Sequence, residues 1–186
     1  MAGDDRPAFY ALRPGGWRDY VTLLHPPYTA WHLSYVAIGA AASPRLAGGR
    51  LGASVLAFVV FGAFIVLAYN LELAGGRFHS DTWFAISWGA FPSLTGYFAQ
   101  AATIRWQAVL VALGCLLFSA AQRRLSTPVR RLRRRVTALE GRMILADGTE
   151  VAMDEAMLRA APEAALRAIG AALPLLAAGL VTARLL

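Results

Sequence analysis

Charge is missing from long stretches of this chain and crowded into others, and no other feature limits its fold as strongly. A water-soluble domain of this size spreads its charges over every surface element. Here residues 51–71 and 82–104 carry no formal charge, while seven arginines fall within the thirteen residues from Arg123 to Arg135. Uncharged apolar runs of about 20 residues match the hydrocarbon thickness of a bilayer when helical. Hydrophobic residues make up 58% of the 186 positions, a length that suits one domain.

The expected fold is an all-α polytopic membrane protein of about five transmembrane helices with a small cytoplasmic β-hairpin insert. Residues 1–27 read as an N-terminal segment with an interfacial amphipathic helix, because Trp17, Tyr20, Val21 and Leu24 share one helical face. Residues 28–122 read as a four-span bundle with spans near 28–42, 51–73, 82–102 and 106–121. Gly75-Gly76 break the second span, and Pro92 interrupts the third, freeing a backbone carbonyl. The turn at Arg105 is short, so spans three and four are antiparallel neighbours. Residues 123–162 form a basic loop, in which Asp147-Gly148 between two apolar runs signals a hairpin that sets Ile144 opposite Val151. Asp154 suits a helix cap and Pro162 the first turn of a helix. Residues 163–186 form the last span.

The arginine cluster assigns orientation. Loops rich in Lys and Arg stay in the cytoplasm, so loop 123–162 and, counting back through four spans, the amino terminus lie inside. The first 27 residues lack a long apolar core and do not read as a cleavable signal. Anionic lipid headgroups are the expected partner of the arginines; nucleic acid is not expected, since the cluster abuts a span. All 18 basic residues are arginine, which excludes Schiff-base chemistry on lysine. The single cysteine, Cys115, reads as a small buried residue.

Ionisable groups beside lipid are costly and mark candidate sites. Glu72 and Asp81 offer hard oxygen ligands for Mg²⁺ at the cytoplasmic end of spans two and three. Arg77 and His79 in the connection suit diphosphate contact, and Asn70 sits with Glu72 in the last turn of span two. His25, Tyr28 and His32 open span one on the same side. Tyr28, Trp31, Tyr35, Trp83, Phe84 and Trp88 suit a slot for an apolar tail. The bland alternatives are an N-cap role for Ser80 or Asp81, a solvated His79, and a His32 bonded within the bundle.

The segment from His25 to Leu33 resembles the start of the first span in the UbiA-type membrane prenyltransferase superfamily. The end of span two, Tyr69-Asn70-Leu71-Glu72-Leu73, is similar in position to that family's first Asp-rich motif. The family motif is Asn-Asp-x-x-Asp; here Asn70 is kept, Leu71 and Ala74 hold the acidic positions, and Glu72 is the nearby acid. The resemblance implies a prenyl transferase using Mg²⁺ and an isoprenoid diphosphate. A non-catalytic subunit or scaffold of a larger membrane complex is the second expectation, as a homo- or hetero-oligomer, with Gly39, Ala40, Gly62 and Ala63 allowing close helix contacts. A small transporter is a third.

Overall fold

A computed structural model describes residues 16–18, 26–44, 60–65, 67–68 and 71–185. The expected amphipathic helix of the amino-terminal segment, most of the second expected span, His25 and Asn70 lie outside those residues, as does the side chain of His79.

The described chain is helical apart from one small sheet. Helix α1 covers Pro26–Ala41. Residues 60–65 are helical. A second run comprises α2 (Asp81–Ala85), a π-turn (Ile86–Ala90) and α3 (Phe91–Ala101). Helices α4 (Trp106–Arg135) and α5 (Glu155–Leu185) follow, with β1 (Arg142–Ile144) and β2 (Glu150–Ala152) between them. Only α4 and α5 are long and apolar enough, by length and composition, to cross a membrane among the described residues. The expectation of five such helices is therefore not met as stated. Helix α1 has 16 residues, and the third expected span is divided by the π-turn.

That π-turn has a cause in sequence. Pro92 has no N–H for the carbonyl four residues back, and its ring crowds that carbonyl. The chain widens instead: Phe91 N–H donates to the Ile86 carbonyl, five residues back.

Helix α1 packs beside α3 with an unusually close backbone approach. A methyl group placed on Gly39 would lie 1.9 Å from the Ser93 carbonyl oxygen, and one on Gly96 would lie 2.0 Å from the Val36 oxygen. Gly39, expected to allow close helix contacts, makes one here within the chain. On α4, Gly89 of the π-turn meets Cys115 and Ser119 in the same way, at 2.6 and 2.9 Å. The other flank of α1 carries the core: Trp31, Tyr35 and Ile38 are buried with Cys115 of α4 and Leu166, Leu173 and Ala177 of α5. The Trp31 indole N–H donates to the Tyr35 hydroxyl.

Two helices run further than expected. Helix α4 continues through the basic segment to Arg135, past Pro128, so the first part of the predicted loop is helical. Helix α5 starts at Glu155, capped by Asp154 Oδ1, which accepts from Met157 N–H at 2.7 Å. Pro162 lies inside this helix rather than opening a new one. Where both helices extend, Glu163 Oε1 accepts from Arg133 at 2.6 and 2.9 Å and from Arg159 at 3.1 Å. Arg159 also pairs with Glu155 at 3.0 Å. Desolvation pushes the Glu163 carboxyl up, but the two guanidinium groups outweigh it and hold the carboxyl below its ordinary range. At the opposite end, Arg184 of α5 donates to the carbonyls of Ser43 and Pro44, at 2.7 and 3.1 Å, just beyond the end of α1.

The hairpin forms, but one position out of the predicted register: Ile144 faces Glu150 and Met143 faces Val151. The loop holds three residues, not two. Gly148 sits at φ 84° and Leu145 N–H donates to the Thr149 carbonyl, the geometry of a turn closed by a glycine bulge. Thr149 N–H donates to Asp147 Oδ1 at 2.9 Å and keeps that carboxyl below its ordinary range.

Candidate functional site

The bundle holds a cavity of about 380 Å³ between α1, residues 60–65 and the π-turn. Thr29, His32, Leu33 and Val36 line it from α1, Gly62 and Ile65 from the facing stretch, and Ser87, Trp88, Phe91, Pro92 and Thr95 from the π-turn and α3. Its wall is almost wholly hydrocarbon and aromatic. Polar groups are few, so the ones present decide what it accepts.

His32 is the most informative of them. Its Nδ1 lies 2.8 Å from the Trp88 carbonyl oxygen. That carbonyl is the one Pro92 leaves without an α-helical donor, four residues along the chain. A carbonyl only accepts, so Nδ1 carries the proton, and in the neutral ring Nε2 keeps its lone pair. The proline thus fixes the histidine tautomer through one backbone atom. In ¹⁵N-histidine spectra of the folded protein, we expect His32 to show a protonated Nδ1 and an unprotonated Nε2. A reversed pattern would exclude the Trp88 contact.

Ser87 adds the second polar group. It is buried, and its Oγ has no hydrogen-bond partner among the described residues. Thr95, by contrast, already donates to the Phe91 carbonyl at 2.8 Å. A separate polar seam runs along α4, where Cys115, Ser119, Gln122 and Ser126 are buried at helical spacing. There Ser119 Oγ and Gln122 Oε1 also lack partners among the described residues. Gly89 fits against Ser119 without room for a methyl group, so this seam is packed protein and not a channel.

The predicted residues are placed as follows. His32 lines the cavity, and Tyr28 packs at the edge of the core. Trp31 and Tyr35, expected to line a slot for a tail, are instead buried in the core against α4 and α5. Of the predicted aromatic slot, only Trp88 borders the cavity. Glu72 is exposed at φ 50°, opening a left-handed turn that continues through Ala74, Gly75 and Gly76. Arg77 is exposed in the short 3₁₀ turn Arg77–His79. That turn is held by Phe78, whose ring contacts Phe64 and Trp83 at centroid distances of 5.8 and 4.9 Å.

Asp81 takes a different partner from the one expected. Its Oδ1 accepts from Arg123 Nε at 2.8 Å, while Ser80 caps α2 by accepting from Trp83 N–H. The Arg123 guanidinium also lies over the Phe84 ring, 5.3 Å from its centroid. Among the described residues no three His, Cys, Asp or Glu side chains gather as a metal site would require. Asp81 is already engaged by the Arg123 guanidinium.

Ser87 is absent from the residues expected of the site, and Arg123 is expected there only for topology and headgroup contact. The spacing of Ser87 and Trp88 ahead of Pro92 was the available signal for the first; nothing in the sequence pointed to the second. No family model, curated protein or solved structure matches this chain.

Proposed function

We propose that this chain is an integral membrane protein that binds an isoprenoid or related lipid in the α1–α3 cavity, with a phosphate-bearing head at the cytoplasmic end of the bundle. The carrying observation is the apolar cavity itself, sized for a short isoprenoid chain and bordered by only a few polar atoms. Helices α4 and α5 supply two spans; α1, the stretch around residues 60–68 and the run from Asp81 to Ala101 are the further ones in this reading. Outward-facing Trp106, Leu110, Leu113 and Leu117 of α4 and Leu175, Leu176 and Leu180 of α5 are exposed, which lipid would cover. The arginines of α4 mark the cytoplasmic end and meet anionic headgroups there.

Arg77 and Arg123 stand at that end, and phosphate contact passes through them in this reading. A labelled prenyl diphosphate is expected to bind the protein in nanodiscs, with affinity unchanged by chelation of divalent cations. Val36→Phe, which fills the cavity, should weaken binding by at least about tenfold, and Arg123→Gln by about tenfold or more, the worth of a charge-assisted hydrogen bond. Absence of binding, or binding indifferent to Val36→Phe, would sink the proposal.

The Asp81–Arg123 pair also favours a second reading, a non-catalytic subunit of a larger membrane assembly, since the one acid of the connection already has its cation. That reading expects no prenyl diphosphate binding and a stoichiometric partner retained in mild detergent.

A further inference from the structure

We infer that the cavity selects an apolar molecule carrying a hydroxyl group, held between His32 and Ser87. This rests on the proposal that the cavity takes an isoprenoid-like ligand, and adds the chemistry of the group it recognises. Three observations carry it.

First, Pro92 leaves the Trp88 carbonyl to His32 Nδ1, so the ring's remaining nitrogen is an acceptor. Second, Ser87 Oγ, on the residue next to Trp88, is buried and has no partner among the described residues, and a hydroxyl of this kind both donates and accepts. Third, both residues line one cavity whose other walls are almost entirely apolar. A buried polar atom without a partner is costly, and an acceptor and an unpaired hydroxyl on two residues lining one cavity are groups that a ligand can complete.

A ligand hydroxyl satisfies both at once. It donates its proton to His32 Nε2 and accepts from Ser87 Oγ. An ether or ester oxygen could accept from Ser87 but would leave the His32 lone pair facing an oxygen lone pair. A plain hydrocarbon would leave both groups unmet. The cavity therefore ranks alcohol above ether and hydrocarbon of the same carbon skeleton.

The test compares farnesol, its methyl ether and the saturated hydrocarbon farnesane as competitors for a fluorescent apolar probe, with full-length protein in nanodiscs. Farnesol is expected to bind about tenfold tighter than the ether, a ratio one satisfied buried hydrogen-bonding group supports. Ser87→Ala, which removes a hydroxyl without a partner among the described residues, should reduce that ratio, and His32→Phe should abolish it. If His32→Phe fails to fold, His32→Asn, whose amide can still donate to the Trp88 carbonyl, takes its place and should also lose the preference. Equal binding of all three competitors, or a preference that survives both substitutions, overturns the inference. Labelled prenyl diphosphate measured in parallel separates the two claims: if it binds and Val36→Phe removes it, the broader function stands although hydroxyl selection has failed. If neither diphosphate nor any competitor binds, both fall.

Discussion

Replacing Gly96 with valine is expected to lower the melting temperature of the purified protein by about 6–12 °C, taking the cost as about 3 kcal/mol, the upper part of the overpacking range. The reason is geometric. Even a single methyl group at this position would lie 2.0 Å from the Val36 carbonyl oxygen and 2.9 Å from its carbonyl carbon. Backbone cannot swing aside as a side chain can, so α1 and α3 must separate. Separation also pulls on Gly39, which meets Ser93 just as closely, and on the His32–Trp88 contact. Gly114 and Gly179 provide the comparison, since a methyl group there meets nothing within 4 Å. Their alanine variants should melt within a degree or two of the parent protein. A Gly96→Val protein as stable as Gly114→Ala would show that the two helices are not in backbone contact.

Glu163→Ala should be as damaging at the other end of the molecule. The carboxylate is 7% exposed and receives both Arg133 and Arg159, so its removal takes from two neighbouring guanidinium groups the acceptor they share, with Arg159 keeping Glu155. Breaking a largely buried pair from one side costs about 3–5 kcal/mol, whereas the intact pair adds little compared with an apolar substitute. The α4 and α5 extensions are expected to part, and the hairpin segment to become sensitive to limited proteolysis. Arg133→Met together with Glu163→Leu should restore much of the resistance. The same carboxylate gives a pH dependence of known sign. Its proton affinity is lower in the folded protein than in the unfolded chain, so its stabilising contribution is complete above the ordinary glutamate value of about 4.3 and fades as the pH falls through the lower folded value. Proteolysis of the hairpin should therefore rise below about pH 4 in the parent protein and show a smaller step in Glu163→Ala, the remainder coming from Asp147, whose carboxyl the turn also holds low. A parent protein equally resistant at both pH values would contradict the assignment.

How far these features were legible in the sequence depends on the range of the forces involved. Local signals read well. Asp154 caps α5, the Asp147-Gly148 pair turns a hairpin, Pro92 disturbs its helix, and the short turn before Trp106 brings α3 and α4 together. Each is settled by a few consecutive residues. Boundaries read poorly where a charged segment continues a helix: Arg123 to Arg135 reads as a loop in sequence, and α4 runs through it. Charge ends an apolar run but not a helix, and arginine is a good helix former. The candidate site is legible only in part. Topology brings Glu72 and Asp81 to one end of the bundle, but the cation that Asp81 finds lies 42 positions away on α4. The pairing of Trp31 with Tyr35 inside the core is likewise a tertiary fact, and no periodicity distinguishes an aromatic that faces a cavity from one that faces another helix.

The widened turn at Ile86–Ala90 bears on how this protein tolerates change in length. One turn there accommodates a residue more than the helix on either side, so the inward faces before and after it are offset. Ala85, Ser87 and Gly89 point inward at every second position, after which Ser93, Gly96 and Tyr97 resume the usual three-and-four rhythm. Removing one amino acid inside the turn would let it close toward ordinary helix with both faces kept, whereas removing one from α3 would rotate everything upstream by about 100° against everything downstream. Ser80 and Asp81 would then swing away from Arg123 even though neither had been touched. Substitutions in this segment are a matter of fit, whereas a single deletion is a matter of phase.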